Sequence, residues 1–369
     1  MNQGQRLDGR PAGASTSSGL ATQRKNSSLE LQSTLPKLRQ VLIKLHNSVG
    51  EPQLLLKLVE ALDESWDQIK RAWSTLFLNG QLPTPHEPND QHTPPPYEPN
   101  DQHTNELKPY RIAKVEGGMV GLMRWVDEII PACHRYYEVT QYLKDPAKDS
   151  DFREKLIRSK WDVLHYTSQS VTKIDLIVGV LKASEIDLVQ SDWPSRAECI
   201  DLEIVSLLQL IDGRESDGRE ISNPLSTPAI HLAELIIPMA KLARIFYRKL
   251  PRLGMNKKWP FSTKMSSAEL AHLTNSPQAA KNEFIYLVVF LPHLNRGPAP
   301  INSDRFIQIL NNLQSNVEHS LFSMSLHILP LIADDSSFSV QKHFMTWLIT
   351  WKVEFSVAIQ KLLDALEVL

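Results

Sequence analysis

The sequence predicts an all-α fold: bundles of long, antiparallel, amphipathic helices arranged as two packed halves. Three observations carry this. Apolar residues recur in steps of three and four along most of the chain, the spacing that gathers side chains on one helix face. Alternation of β-branched with polar residues, which a half-buried strand needs, is nowhere sustained over five residues. Hydrophobic residues make up 42% and charged residues 22% of the 369, so the chain has apolar material for a sizeable core and is not of disordered composition.

Residues 1–28 are rich in Gly, Ser, Gln and Arg and read as a disordered tail. They contain no apolar run of the signal-peptide kind, which predicts an intracellular protein, cytoplasmic or nuclear. Residues 29–80 read as a helical hairpin. Leu31, Leu35, Leu38, Leu42, Leu45 and Val49 line its first helix, and Leu55, Leu58, Leu62, Trp66, Ile69, Trp73 and Leu76 its second. Gly50 and Pro52 form the stop and restart between them.

Residues 81–109 contain eight prolines and read as a disordered linker. Within it Glu87-Pro88-Asn89-Asp90-Gln91-His92-Thr93 returns unchanged as Glu98-Pro99-Asn100-Asp101-Gln102-His103-Thr104, a duplication in a tolerant segment. His86, His92 and His103 have no fixed geometry with which to hold a metal.

Residues 110–212 form the first predicted bundle half. Val115, Met119, Leu122, Val126 and Ile129 mark one helix, with Pro131 kinking or ending it. Leu156, Trp161, Leu164, Val171, Ile174, Val178 and Leu181 mark a longer one, and Ile200, Ile204, Leu207 and Ile211 a third that closes at Asp212-Gly213. A loop at 213–227 separates this half from the second, 228–369, with helices expected at 229–250, 278–291, 304–329 and 338–366. No apolar run reaches the 18 or so residues that a membrane span needs.

Two segments, Leu31-Gln32-Ser33-Thr34-Leu35-Pro36-Lys37-Leu38-Arg39-Gln40 and Met265-Ser266-Ser267-Ala268-Glu269-Leu270 followed by Ser276-Pro277-Gln278, carry a resemblance, together with Trp347-x-x-x-Trp351, Phe355 and Ala358-Ile359. The sequence resembles an expanded, uncharacterised protein family of plant-pathogenic rust fungi. That resemblance implies a helical build; the family has no assigned activity, so it implies no chemistry.

Familiar catalytic signatures are missing: no G-x-S-x-G, Walker loop, H-E-x-x-H or paired C-x-x-C occurs. Gly117-Gly118-x-x-Gly121 sits inside a helical pattern and predicts close helix packing rather than a phosphate cradle. Cys133 and His134 are neighbours on a helix, pointing about 100° apart, and do not form a nucleophile pair. The only two cysteines, Cys133 and Cys199, read as separate buried thiols. The reading is therefore a non-enzymatic helical module with an unknown protein partner and with no catalytic, cofactor or metal residues assigned.

Two groups of residues remain as candidate surfaces. Between Glu234 and Glu269 no acid occurs, while Lys241, Arg244, Arg248, Lys249, Arg252, Lys257, Lys258 and Lys264 do. All but Lys264 are taken as a candidate surface for an anionic partner. The alternative function is binding of a phosphate-bearing ligand, an anionic lipid head group or RNA, through this segment; a motif-free all-α enzyme is the second alternative. Residues 185–220 hold ten acids against three arginines, so the two blocks can instead balance each other. Phe344, Trp347, Trp351 and Phe355 form an aromatic ridge on the last helix, either core or a seat for a partner helix.

Overall fold

The computed structural model describes residues 16–77, 101, 107–142, 150–213, 224–254, 259–296, 300–332 and 339–368. Among them there is no strand, and the fold is all-α. The described residues divide into two compact units, one holding the helices up to Ala183, the other Asp101 and everything from Ser184 onward.

The first unit is a four-helix bundle of α1 (Thr16–Asn47), α2 (Pro52–Phe77), α3 (Pro109–Tyr142) and α4 (Ser150–Lys182). Each helix packs on its sequence neighbour, and α1 closes the ring against α4. The periodic apolar residues meet inside: Leu31, Leu35, Leu38 and Leu42 with Leu62, Trp66 and Ile69, and Val115, Met119 and Leu122 with Val163, Ile174 and Ile177. Gly118 lets α3 and α4 close together, because a Cβ there would stand 2.6 Å from Ile177 Cγ1. Arg111 Nη1 donates to the Val180 and Ala183 carbonyls, both at 2.7 Å. A cation thereby satisfies acceptors that the C-terminus of α4 leaves unpaired.

Helix α1 starts at Thr16, well inside the stretch read as a tail. Ser27 and Ser28 are buried; small hydroxyl residues extend the packed face without the apolar signal that periodicity detects. Pro131 does not end α3, which runs on to Tyr142. It lies on the exposed side of the helix, where water can take the carbonyl that loses its amide. Within 81–109, Asp101 and residues 107–109 are described, and Asp101 is buried with Pro109 opening α3. The rest of that segment, both copies' histidines included, lies outside the described residues.

The second unit contains the short α5 (Glu185–Gln190), then α6 (Trp193–Ile211), α7 (Thr227–Gly254), α8 (Ser267–Phe290), α9 (Pro300–Ser323) and α10 (Val340–Glu367). The five long helices form a ring in which α6 meets α7, α7 meets α10, α10 meets α9, α9 meets α8 and α8 returns to α6. Trp193, Phe246, Tyr247, Phe284, Phe306, Phe344 and Trp351 fill it. Gly213, at φ 66°, supplies the left-handed residue that stops α6.

The junction between units falls between Ala183 and Ser184, not in the 213–227 loop where the sequence breaks most visibly. The apolar side of α6, with Ala197, Ile200, Ile204 and Leu207, is buried against α7 and α8, so it belongs with the second half. Helix α8 begins eleven positions before the expected Gln278, at Ser267. A capping box fixes this start: Ser266 Oγ accepts from the Glu269 amide and Glu269 Oε2 accepts from the Ser266 amide at 2.6 Å. Asp101 adds to it by accepting from the Ser267 amide at 2.8 Å and from the Ser267 hydroxyl.

Candidate functional site

The cationic face lies on the C-terminal half of α7. Arg244 and Arg248, one turn apart, both reach Asp201 on α6. Asp201 Oδ1 accepts from Arg244 Nη1, and Oδ2 accepts from Arg248 Nη2 at 2.7 Å. All three side chains are about one-third exposed. The two oppositely charged blocks of the sequence thus meet in the fold.

Lys249 points elsewhere. Its Nζ stands 4.2 Å from the Trp347 ring centroid, a cation–π arrangement, and burial lowers its amine below the ordinary lysine value. Lys241 and Lys264 are exposed. The side chain of Arg252 and the whole of Lys257 and Lys258 lie outside the described residues.

The aromatic ridge of α10 packs inward. Phe344, Trp351 and Phe355 are buried, Trp351 lies 4.7 Å from Phe246 between centroids, and its Nε1–H donates to the Leu242 carbonyl at 2.9 Å. Trp351 stacks on Phe355 at 4.9 Å and Phe344 on Trp347 at 5.4 Å. The ridge is the seam between α7 and α10; Trp347 alone of the four is half-buried, under the Lys249 ammonium.

Two other acids of the 185–220 block, Glu185 and Asp187, make structural contacts. Glu185, fully buried, accepts through Oε2 from the Thr263 amide at 2.6 Å and hydroxyl at 2.8 Å, which fastens the segment before α8 to α5. Asp187 completes the capping box of Ser184. Burial raises the Glu203 carboxyl, with Lys281 opposing it.

Between α8 and α9 lies a titratable cluster that periodicity did not single out. The His272 and His319 rings are 4.0 Å apart. Burial, with a smaller contribution from His319, lowers the His272 pKa to about 4, and its Nδ1 has no hydrogen-bond partner. One turn earlier, Glu269 faces His327 of the π-helical turn Met324–Ile328 at 3.4 Å. Burial alone would raise the Glu269 carboxyl; the Ser266 amide and hydroxyl, with His327, outweigh it and hold the group low.

Next to this cluster Tyr247, Ser276, Ser320 and Asn316 form a buried polar chain. Burial pushes the Tyr247 phenol well above its ordinary value, so it stays protonated. Cys133 is buried and its thiol pushed up to about 12; His134 is exposed. Among the described residues no three His, Cys, Asp or Glu side chains are placed to hold a metal ion, and no helix is long and apolar enough to cross a membrane.

The outer faces show what the inward periodicity does not. Leu202, Val205 and Leu208 of α6 are 64%, 48% and 47% exposed, and Ile245 of α7, beside Arg244, is 43% exposed. On α6, Leu202 follows Asp201 directly, and Val205 and Leu208 lie one and two turns beyond it.

No curated protein and no solved structure matches the chain. Residues 24–182 match the model of a domain of unknown function (DUF8723) and residues 184–364 that of another domain of unknown function (DUF8721). The two matches abut where the chain divides, so each compact unit is similar to one of these two families.

Proposed function

We propose that the chain is a non-enzymatic, intracellular helical interaction module that takes a protein partner on the α6–α7 face of its second unit. The observation that carries this reading is the exposed set Leu202, Val205, Leu208 and Ile245 beside a unit whose core is already filled. Exposed apolar side chains that form a contiguous patch mark a candidate contact surface. Lys241, exposed on α7, supplies a cation at the rim of this face that favours an acidic partner.

The double engagement of Asp201 weighs against the phosphate-ligand reading, since both arginines already share a carboxylate. The test is cross-linking capture from native tissue with the wild type and with Leu202→Asp/Val205→Asp in parallel. A partner retained by the first and lost from the second supports the reading. The same proteins on both baits contradict it.

A further inference from the structure

We propose that a second copy of this chain docks on the outer face of α10, as an antiparallel helix pair across a two-fold axis at Val353. This surface is separate from the α6–α7 face. Helix α10 buries Phe344, Leu348, Trp351, Phe355, Ile359 and Leu362 within its own unit. On the opposite side Ile349, Val353 and Val357, in steps of four, are 58%, 55% and 44% exposed. The stripe is made of β-branched side chains, which are stiff at χ1 and lose little freedom when ordered.

The face matches itself when reversed. An antiparallel pair centred on Val353 sets Ile349 of one copy against Val357 of the other, and Thr346 against Gln360. It also sets Lys342 against Asp364 at each end, all four of these polar residues being exposed. Lys342 and Asp364 each lie eleven positions from the centre, about 16 Å along the helix, and within about 20° of the line through Val353 at 100° per residue. A parallel pair would instead set Lys342 on Lys342 and Asp364 on Asp364. Charge therefore selects the antiparallel arrangement, the isologous contact of a two-fold dimer in which each residue meets its reversed counterpart. The face calls for an acid opposite Lys342 and a base opposite Asp364, and a second copy reversed about Val353 carries both.

The experiment is sedimentation equilibrium of the full chain over a range of concentrations. The wild type is expected to show a monomer–dimer equilibrium. Val353→Glu, Lys342→Glu and Asp364→Lys are each expected to weaken it by about tenfold or more, with the helical circular-dichroism signal kept. The swapped variant Lys342→Glu/Asp364→Lys restores opposite charges at both ends and is expected to regain wild-type affinity, a result that mere stickiness of the stripe would not give. A wild type that stays monomeric up to about 1 mM would overturn the proposal. So would a dimer indifferent to Val353→Glu, or a swapped variant as weak as its single parents.

Discussion

Asp201→Ala is the most informative single change in the second unit, because one carboxylate holds two arginines from a neighbouring helix. The setting of each pair, with side chains about one-third exposed, makes it worth about 0.5–1 kcal/mol. Loss of the carboxylate also leaves Arg244 and Arg248 facing each other at i and i+4, a further cost of about 0.3 kcal/mol. The expected destabilisation is about 1.5–2 kcal/mol. Urea titration followed by far-ultraviolet circular dichroism should show the midpoint for this unit fall by about 0.7–1 M, with an unchanged slope if m is about 2 kcal/mol/M. The loss should shrink in 1 M salt. A double-mutant cycle with Arg248→Ala should return a coupling energy of about 0.5 kcal/mol or more. An unchanged midpoint together with zero coupling would refute the reasoning and leave the two arginines available to an external anion.

Two further changes probe the packing and the acid response. Gly118→Val should destabilise the four-helix unit by about 2 kcal/mol or more, since the new side chain meets Ile177 inside contact distance; Gly117→Ala, whose Cβ would meet nothing within 4 Å, should stabilise it by about 0.5–1 kcal/mol. Thermal melts of both variants check the opposite signs. His272 binds its proton less readily folded, at about 4, than unfolded, at about 6.5. Its neutral form therefore contributes stability that is complete above pH about 6.5 and is lost as pH falls toward 4. Full burial would make that loss about 3 kcal/mol; solvent at the half-buried ring reduces it to about 1–2 kcal/mol. Urea midpoints measured at pH 7, 5.5 and 4.5 should fall accordingly, and His272→Gln should flatten the dependence.

The long helices were legible because each carries one uninterrupted apolar stripe: Leu31 to Leu45 and Val115 to Ile129 are buried as their spacing requires. The boundaries were less so. The 213–227 loop announces itself with Gly213, Gly218 and Pro224, whereas the true junction carries only the quiet cap Ser184-x-x-Asp187. The start of α8 is readable from Ser266-x-x-Glu269, whereas Pro277, which by itself suggests a helix start, lies nearly halfway along the helix.

At the candidate surfaces, both charge blocks were visible. That Asp201 in particular meets Arg244 and Arg248 depends on how α6 lies on α7, which no local pattern encodes. The exposed ladder Ile349, Val353 and Val357 was present at plain four-residue spacing. Its spacing carries no separate signal, because the aromatic stripe on the opposite side of the same helix already accounts for burial.

The α6–α7 contact face is tested most directly by hydrogen–deuterium exchange of the full chain with and without the partner recovered by capture. Slower exchange confined to the backbone around residues 202–208 of α6 and 241–248 of α7 is the predicted result. Unchanged exchange there, with protection appearing on other helices, would contradict it.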